Sequence, residues 1–451
     1  MHYHKYAILP FLALGLPCSG AAAQPQLTVD RVLRSAMSRH PLVEAAEARV
    51  RAARGSRLTA RSLPNPVFTY QVENAPFPGR QATPDLVRET QTYGTLPLEP
   101  LWQRWSRVSR ANEDVRAAAA ELDLARRTVA LDAARAFYRV ALAQIAVRGT
   151  QDVQQGLDSL VRFNRARVAE GVAAEGDLIR VEVESARAAT DAALQQVELV
   201  RARAELLPFL DDSTRAETSV LSVAVTEEAG TAEAAFQLPA FAELASRALI
   251  ARPDVLSARA RAHASEREVQ YQRALTVRQL GATFGSKRSE GVTSMIAGFS
   301  IPVPLFDQNR GEVQRASEER TAAQRELAWV ERRATADLAG AYEAARILQQ
   351  QVAQLERAND ADGGFLGHAE EARRIAIAAY QEGAAPLLQV IDATRTLTDA
   401  RLTYYRALFA RRAAMLDLYN AAGLDLLDAL MPTRRTSSVG SSSDTTTGIS
   451  R

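Results

Sequence analysis

Apolar residues follow two different periods along this 451-residue chain. In four short stretches they alternate with small or polar residues, and over most of the remaining length they recur three and four positions apart. The alternation is clear in the first and last of the short stretches, with the apolar sets Phe68, Tyr70, Val72 and Met295, Ala297, Phe299. A period of two predicts strands with one apolar and one polar face. We therefore predict strands near residues 64–73, 88–99, 277–286 and 293–304.

The three- and four-residue spacing predicts long helices after the second strand of each pair. The apolar positions form two seams typical of coiled coils, from Val108 to Val147 and from Val313 to Leu355. Each helix is expected to continue for about 65 to 70 residues, which is roughly 100 Å at 1.5 Å per residue. Beyond Gly171 and Gly383 the same spacing resumes, so these two glycines are predicted to be the tips of two antiparallel helical hairpins.

The chain also repeats itself. "HPLVEAAEAR" begins at His40 and "RPDVLSARAR" at Arg252, and these starts are as far apart as Gly171 and Gly383. The chain is therefore predicted to be an internal duplication, with a proline-broken helix opening each copy. The two strand-to-helix junctions are separated by fewer residues than the other pairs of matching positions in the two copies. We therefore expect the second copy to have a loop between its strands about eight residues shorter and a long helix about eight residues longer.

The two ends of the chain differ from its body. Residues 1–23 combine a weakly basic start, a short apolar run and an "AAA" site, which predicts a signal peptide. Cys18 leaves with this peptide, although lipid attachment at Cys18 remains an alternative. The first copy with its linker then occupies residues 24–238, and the second copy occupies 239–430. The Ser- and Thr-rich residues 431–451 are predicted to be disordered.

Composition and charge narrow the function classes. The 55 basic and 53 acidic residues nearly cancel, which argues against nucleic-acid binding. His40, His263 and His368 have no Cys or His partners at ligand spacing, so no metal site and no cofactor are expected. The sequence contains no P-loop, nucleophile elbow or dinucleotide fingerprint, and we expect no enzyme.

Four amphipathic strands present a geometric problem. Their length and pattern match the strands of outer-membrane barrels, but four strands cannot close a barrel, and open sheet edges are not tolerated in lipid. Several chains must therefore contribute strands to one wall. Two chains would supply eight strands and three would supply twelve.

Three segments carry a family resemblance: "RPDVLSA", "SIPVPLFDQNRGEV" and "YQEGAAPLLQVIDATRTL". With the duplicated plan, they make the region from Leu27 to Leu430 similar to the TolC family of outer-membrane efflux proteins. The resemblance implies a mainly α fold with a small β part. It also implies a homotrimer whose twelve-stranded barrel, with four strands per chain, stands on an α-helical periplasmic tunnel. A mixed equatorial zone is expected to use the linker near residues 211–238 and residues close to the C-terminus.

The same resemblance implies a function. The chain would be the outer-membrane channel of a tripartite efflux pump, working with a periplasmic adaptor and an inner-membrane transporter of the resistance-nodulation-division (RND) type. "PVPLFDQNRG" is most similar to the cobalt-zinc-cadmium branch, which makes heavy-metal cations a candidate substrate. Multidrug efflux, a type I protein-secretion conduit and a structural periplasmic coiled-coil protein remain alternatives.

The resemblance also assigns roles at the hairpin tips. Asp392 and Gln389 are expected to face the axis of a periplasmic aperture, and Asp177 is their counterpart in the first copy. The alternative is that the two aspartates only cap or pair at helix surfaces. The exposed tip residues are expected to dock the adaptor; these are Gly171, Val172, Gly383 and Ala384.

The first strand-to-helix junction departs from the family pattern "LELGGKR". Here "LEPLWQRW" replaces the two glycines with Leu101 and Trp102. Trp102 and Trp105 are predicted to anchor the chain at a membrane interface, where such rings are favoured. A packing role is the alternative.

Overall fold

The structure is a computed structural model that describes residues 27–75, 77–79, 87–99, 101–172, 174–210, 238–276, 280–357 and 364–426. The predicted signal peptide, the predicted disordered tail and nearly all of the linker expected in the equatorial zone lie outside these residues.

Long helices and one small sheet make up the described chain. In order, the elements are α1 (Val29–Arg39), α2 (Pro41–Arg61), β1 (Val67–Glu73), β2 (Glu89–Leu98), α3 (Leu101–Ala169), α4 (Glu175–Leu206), α5 (Phe241–Ala251), α6 (Pro253–Ala274), β3 (Leu280–Ser289), β4 (Val292–Ser300), α7 (Arg310–Arg357), α8 (Gly364–Gln381) and α9 (Leu387–Ala421). No helix in the described part of the chain is both long and apolar enough to cross a membrane.

The four strands form one antiparallel sheet in the order β1-β2-β3-β4. Phe68 pairs with Gly94, Gly94 with Phe284, and Phe284 with Ala297, so these residues share one face. Exposed apolar side chains dominate that face, among them Phe68, Tyr70, Phe284, Met295 and Phe299. The opposite face is mostly polar. The sheet therefore has one apolar and one polar face, as the period-two pattern predicts.

Strand ends differ from the predicted ones where turn chemistry decides them. Glu290 and Gly291 both have positive φ, 51° and 81°, which is the backbone of a tight type I′ hairpin turn. β3 therefore continues to Ser289 through residues that we expected to form a loop. Only two residues separate β3 from β4, whereas residues 74–88 separate β1 from β2. The difference is larger than the eight residues expected.

The helix breaks before α2 and α6 occupy equivalent places in the two copies. His40 caps α2 by accepting a hydrogen bond at Nδ1 from the Leu42 amide, at 3.2 Å, and its ring stacks on Phe209. Arg252 takes the equivalent position before α6. Its guanidinium bridges Asp254 and Asp337, with nitrogen-to-oxygen distances of 2.7 and 3.2 Å. Each break is thus held by its own polar contacts.

The two long helices are not equivalent. α3 has 69 residues, as the uninterrupted seam predicts. The expectation of one continuous long helix in the second copy is wrong, because α7 ends at Arg357 after 48 residues and α8 begins at Gly364. Gly364 has a φ of 63°, which is not helical. The intervening sequence "ANDADGG" is rich in Asn, Asp and Gly, which favour non-helical conformations.

Three regions of apolar packing hold the helices together. The middle of α3, around Val140, packs with α1, α4 and the end of α9 in the largest core. α5, α7 and α9 form a second core around Leu338 and Leu418. A third cluster lies near the hairpin tips and includes Leu157, Val181 and Val390. Many of the buried positions are alanine, which lets the helix backbones approach closely.

Candidate functional site at the hairpin tips and the strand-to-helix junction

The two hairpin tips have the same backbone geometry. Gly171 and Gly383 have φ values of 73° and 77°. At each tip the glycine amide donates to the carbonyl three residues earlier, and the next amide donates to the carbonyl five residues earlier. These two bonds define a Schellman motif, which ends a helix with a left-handed residue. Glycine is favoured at both tips because most other residues are strained at positive φ.

The tip surface is open. Apart from the adjacent residues, no atom of the described chain lies within 4 Å of the position that a Cβ would take at Gly171 or Gly383. Val172 is 60% exposed, and Ala384 is also exposed. The four residues expected to dock a partner thus form two accessible patches with bare backbone, one on each hairpin.

The predicted aperture residues lie near the N-terminal ends of α4 and α9. Gln389 and Asp392 are exposed to solvent, whereas Val390 and Ile391, which lie between them in sequence, are buried. Asp177 is exposed in the first turn of α4, where its charge suits the positive end of the helix dipole. Within the described residues, neither aspartate lies within 4 Å of a basic group. The aperture roles of both aspartates, and the helix-surface alternative, stay predictions.

Three polar contacts connect the two hairpins near their tips. The Tyr380 hydroxyl of α8 donates to Asn164 Oδ1 of α3 at 2.7 Å, and both side chains are buried. Arg395 of α9 pairs with Glu184 of α4.

The third contact lies further along the helices, where Arg401 approaches Asp152 at 3.4 Å. Sequence reasoning missed all three contacts. The only signal was the presence of polar residues, such as Asn164, within an otherwise apolar seam.

The strand-to-helix junctions explain two of the motifs. In the second copy, Asn309 has a φ of 59° and donates from Nδ2 to the Gln272 carbonyl at 2.7 Å, so "FDQN" ties the start of α7 to α6. In the first copy, buried Gln103 donates to the Ala274 carbonyl at 2.8 Å. Both long helices are thereby fixed to α6 close to the sheet.

Trp102 and Trp105 lie at the same junction and are each 58% exposed. The Arg267 guanidinium lies over the Trp105 ring, 4.8 Å from its centre. The exposed rings extend the surface of α3 immediately beyond the sheet, whereas the contact of Arg267 with Trp105 is one of packing. The anchor role and the packing role both stay predictions.

Charged groups cluster on the polar face of the sheet, near the β3–β4 turn. Lys287 Nζ lies 2.5 Å from Glu89 Oε2, and Gln71 and Gln91 both donate to Glu73 at 3.0 Å. The cluster thus holds two carboxylates and one amine. Lys287 is the only lysine after residue 5.

The histidines in the described part of the chain do not converge. His40 is the helix cap described above, and His263 Nδ1 lies 3.9 Å from a Glu266 oxygen on the surface of α6. Among the described residues, no three His, Cys, Asp or Glu side chains are grouped as metal ligands.

Comparison with known proteins gives a consistent result. The family model described as "Outer membrane efflux protein" matches residues 244–424, which is the second copy from α5 to the end of α9. The chain is 26% identical to the cobalt-zinc-cadmium resistance protein CzcC of Cupriavidus metallidurans, over 85% of this chain and 86% of that protein. It is 27% identical to the nickel-cobalt-cadmium resistance protein NccC of Alcaligenes xylosoxydans xylosoxydans, over 89% and 87%.

Solved structures share the fold. The crystal structure of CusC, determined in work on its folding and transmembrane channel formation, superposes with a TM-score of 0.69. The match covers 94% of this chain and 99% of CusC at 18% identity. The arrangement of helical hairpins and a four-stranded sheet is therefore shared by this chain and CusC.

Proposed function

Because the family model and the similarity to CzcC and NccC agree, we propose that the chain belongs to the CzcC-like branch of the outer membrane efflux proteins and is the exit duct of a tripartite efflux pump. It resides in the outer membrane, with its helical part in the periplasm. The duct is passive, since substrate would be delivered to it by an inner-membrane transporter. In line with the resistance proteins to which it is similar, the proposed cargo is divalent heavy-metal cations.

One observation carries this proposal: the amphipathic sheet ends in unpaired strands on both sides. β1 and β4 each have a strand partner on one side only within the described chain. Unpaired backbone groups are costly in lipid, so three copies are proposed to close one twelve-stranded wall around a shared lumen. The apolar face that carries Phe68 and Phe299 would then contact lipid, and the polar face would line the lumen.

The hairpin tips are the proposed contact with the periplasmic adaptor. Their bare glycine backbones and the exposed Val172 and Ala384 allow a partner hairpin to approach closely. The RND-type transporter is the proposed source of substrate. The homotrimer, the adaptor and the transporter are all partners of this proposal.

Asp392 is the proposed selectivity residue at the aperture. It is exposed, has no cationic partner in the described part of the chain, and would recur three times around the axis. Carboxylates placed this close together at a constriction favour cations. Gln389, one turn away, would add a neutral polar ring, while Asp177 is the weaker third candidate.

The proposal is tested by reconstitution and by complementation. Detergent-extracted protein should be three times the mass of the mature chain and should give single-channel conductance in a planar bilayer. In a host lacking its own metal efflux duct, the complete gene set should raise tolerance to cobalt, zinc or cadmium, and omission of this chain should abolish the gain. A monomeric, lipid-free protein without conductance would contradict the proposal.

A further inference from the structure

The first turns of α3 have the opposite charge from the one expected at a helix start. The segment "LWQRWSRVSRAN", Leu101 to Asn112, contains three arginines and no acidic residue. Cations at this end oppose the helix dipole and destabilise the helix. The corresponding start of α7 carries Glu312 in its first turn. The reversal is thus confined to the first copy, and such departures from local rules are common at binding sites.

These arginines differ in their partners. Arg107 pairs with Glu99 and Arg110 with Glu268, each at 2.6 Å. Arg104 instead donates to the Arg61 carbonyl at 2.8 Å, and its Nε is buried without a hydrogen-bond partner in the structure. Across the described residues, neither Arg104 nor Arg61 has a carboxylate within 4 Å. The Arg104 guanidinium therefore lies against the backbone of Arg61, and neither arginine has a counter-charge among the described residues.

Arg61 and Arg104 both line one groove of about 660 Å³. Its other lining residues are Trp105, Val108, Ser109 and Asn112. This lining includes no acidic side chain. Guanidinium groups bind phosphate through paired hydrogen bonds, and a half-exposed tryptophan suits the boundary between headgroups and acyl chains.

The groove lies at a defined level of the molecule. α3 begins three residues after β2 ends at Leu98, so the groove lies just beyond the exposed apolar face of the sheet, on the helical side. In the arrangement proposed above, that level is the inner leaflet of the outer membrane. We infer that this groove binds the phosphate headgroup of an anionic phospholipid, one per chain, an inference that rests on the proposed function.

Lipid retention on the purified protein provides the test. Native mass spectrometry would compare added phosphatidylglycerol with phosphatidylcholine. The double variant Arg61→Gln/Arg104→Gln should bind phosphatidylglycerol about 30-fold more weakly, from the usual contribution of two arginines near an anionic surface. The matched control Arg346→Gln/Arg374→Gln removes the same charge from arginines that are paired with Glu343 and Glu371. It should retain wild-type lipid binding.

Several outcomes would overturn the inference. These are equal retention of the two lipids by the wild type, unchanged binding in the Arg61/Arg104 variant, and equal loss in the control. Displacement of the lipid by millimolar inorganic phosphate would show a free-anion site instead. If the variant falls apart into single chains, the groove is a contact between copies. An Arg61/Arg104 variant that stays trimeric and conducts ions but binds no phosphatidylglycerol would leave the exit-duct proposal intact. Failure of the lipid-site inference can therefore be distinguished from failure of the proposed function.

Fluorescence gives an independent readout of lipid contact at Trp105. The chain has three tryptophans, and the variant Trp102→Phe/Trp329→Phe leaves only Trp105. In vesicles, brominated phosphatidylglycerol should quench Trp105 more strongly than brominated phosphatidylcholine does at the same fraction. This preference should disappear when Arg61→Gln/Arg104→Gln is added. Equal quenching by the two lipids would contradict the inference.

Discussion

The buried hydrogen bond between Tyr380 and Asn164 offers a sharp perturbation of the periplasmic end. It connects α8 to α3 across 216 residues of sequence, next to both hairpin tips. Tyr380→Phe removes the donor but keeps the ring, which packs edge-on against Phe163. The change thus weakens the link between hairpins without creating a cavity.

Its magnitude follows from burial. Tyr380 is 7% exposed and Asn164 is 1% exposed, so Asn164 Oδ1 loses its partner where water cannot easily replace it. Leaving a buried acceptor unsatisfied costs about 1–3 kcal/mol. If opening of the tunnel separates the two hairpins, that cost falls on the closed state alone. The opening equilibrium should then shift about 5- to 150-fold toward the open form.

Single-channel recording in planar bilayers measures this shift as open probability at fixed voltage. Tyr404→Phe is a matched control, because the Tyr404 hydroxyl has no hydrogen-bond partner among the described residues. The control should match the wild type, and Tyr380→Phe should be open far more often with unchanged trimer mass. An open probability within twofold of the control would refute the idea that this bond holds the tunnel closed.

Three further predictions concern other parts of the chain. Gly383→Trp should abolish export while trimers remain in the membrane, because the tip could neither adopt its φ of 77° without strain nor admit a partner backbone. Export would be measured as metal tolerance, and its survival would contradict the docking role. Asp392→Asn should lower the cation-to-anion permeability ratio from reversal potentials, whereas Asp177→Asn should change it less; an unchanged ratio in Asp392→Asn would defeat the aperture assignment. Burial alone would raise the pKa of Asp254, but hydrogen bonds and charge from Arg252 outweigh it and lower the pKa below its usual range. A carboxyl group with a lowered pKa stabilises the folded chain at any pH above its unfolded pKa of about 3.9, and this stability is lost as the pH falls through its folded pKa. The melting temperature of Asp254→Asn should therefore depend less on pH below about 4 than that of the wild type. Parallel plots of melting temperature against pH for the two proteins would contradict the argument.

The sequence was sufficient to predict the elements with a strong period. α3 was predictable because its seam runs without interruption from Val108 to Val147, and the tips because Gly171 and Gly383 are spaced as the rest of the duplication is. The second long helix was predicted wrongly, since the apolar period was extended across "ANDADGG". β3 was predicted too short because the turn chemistry of Glu290 and Gly291 was not recognised.

The candidate sites were less accessible to sequence reasoning. Asp392 was found only through a family resemblance, since an exposed aspartate on a helix has no distinguishing local pattern. The contact between Tyr380 and Asn164 depends on how two hairpins are placed relative to each other, which periodicity does not encode. The unpaired charge of Arg61 and Arg104 was likewise hidden among many arginines, and only the geometry separates them from those that have carboxylate partners.

The central claim is that the edge strands β1 and β4 of different copies pair to close one wall. Cysteine cross-linking tests it directly, because the only native cysteine, Cys18, lies in the predicted signal peptide. Thr69→Cys on β1 would be combined in turn with cysteine at Ser294, Ile296 or Gly298 on β4. Within one chain these positions are three strand spacings apart, about 14 Å, which exceeds the roughly 7 Å limit for a disulfide.

On oxidation in intact outer membranes, at least one of these pairs should give covalent species that end at three chains on non-reducing gels, while each single-cysteine variant gives no ladder. Failure of every pair to link different chains, or a ladder that continues past three, would contradict the account.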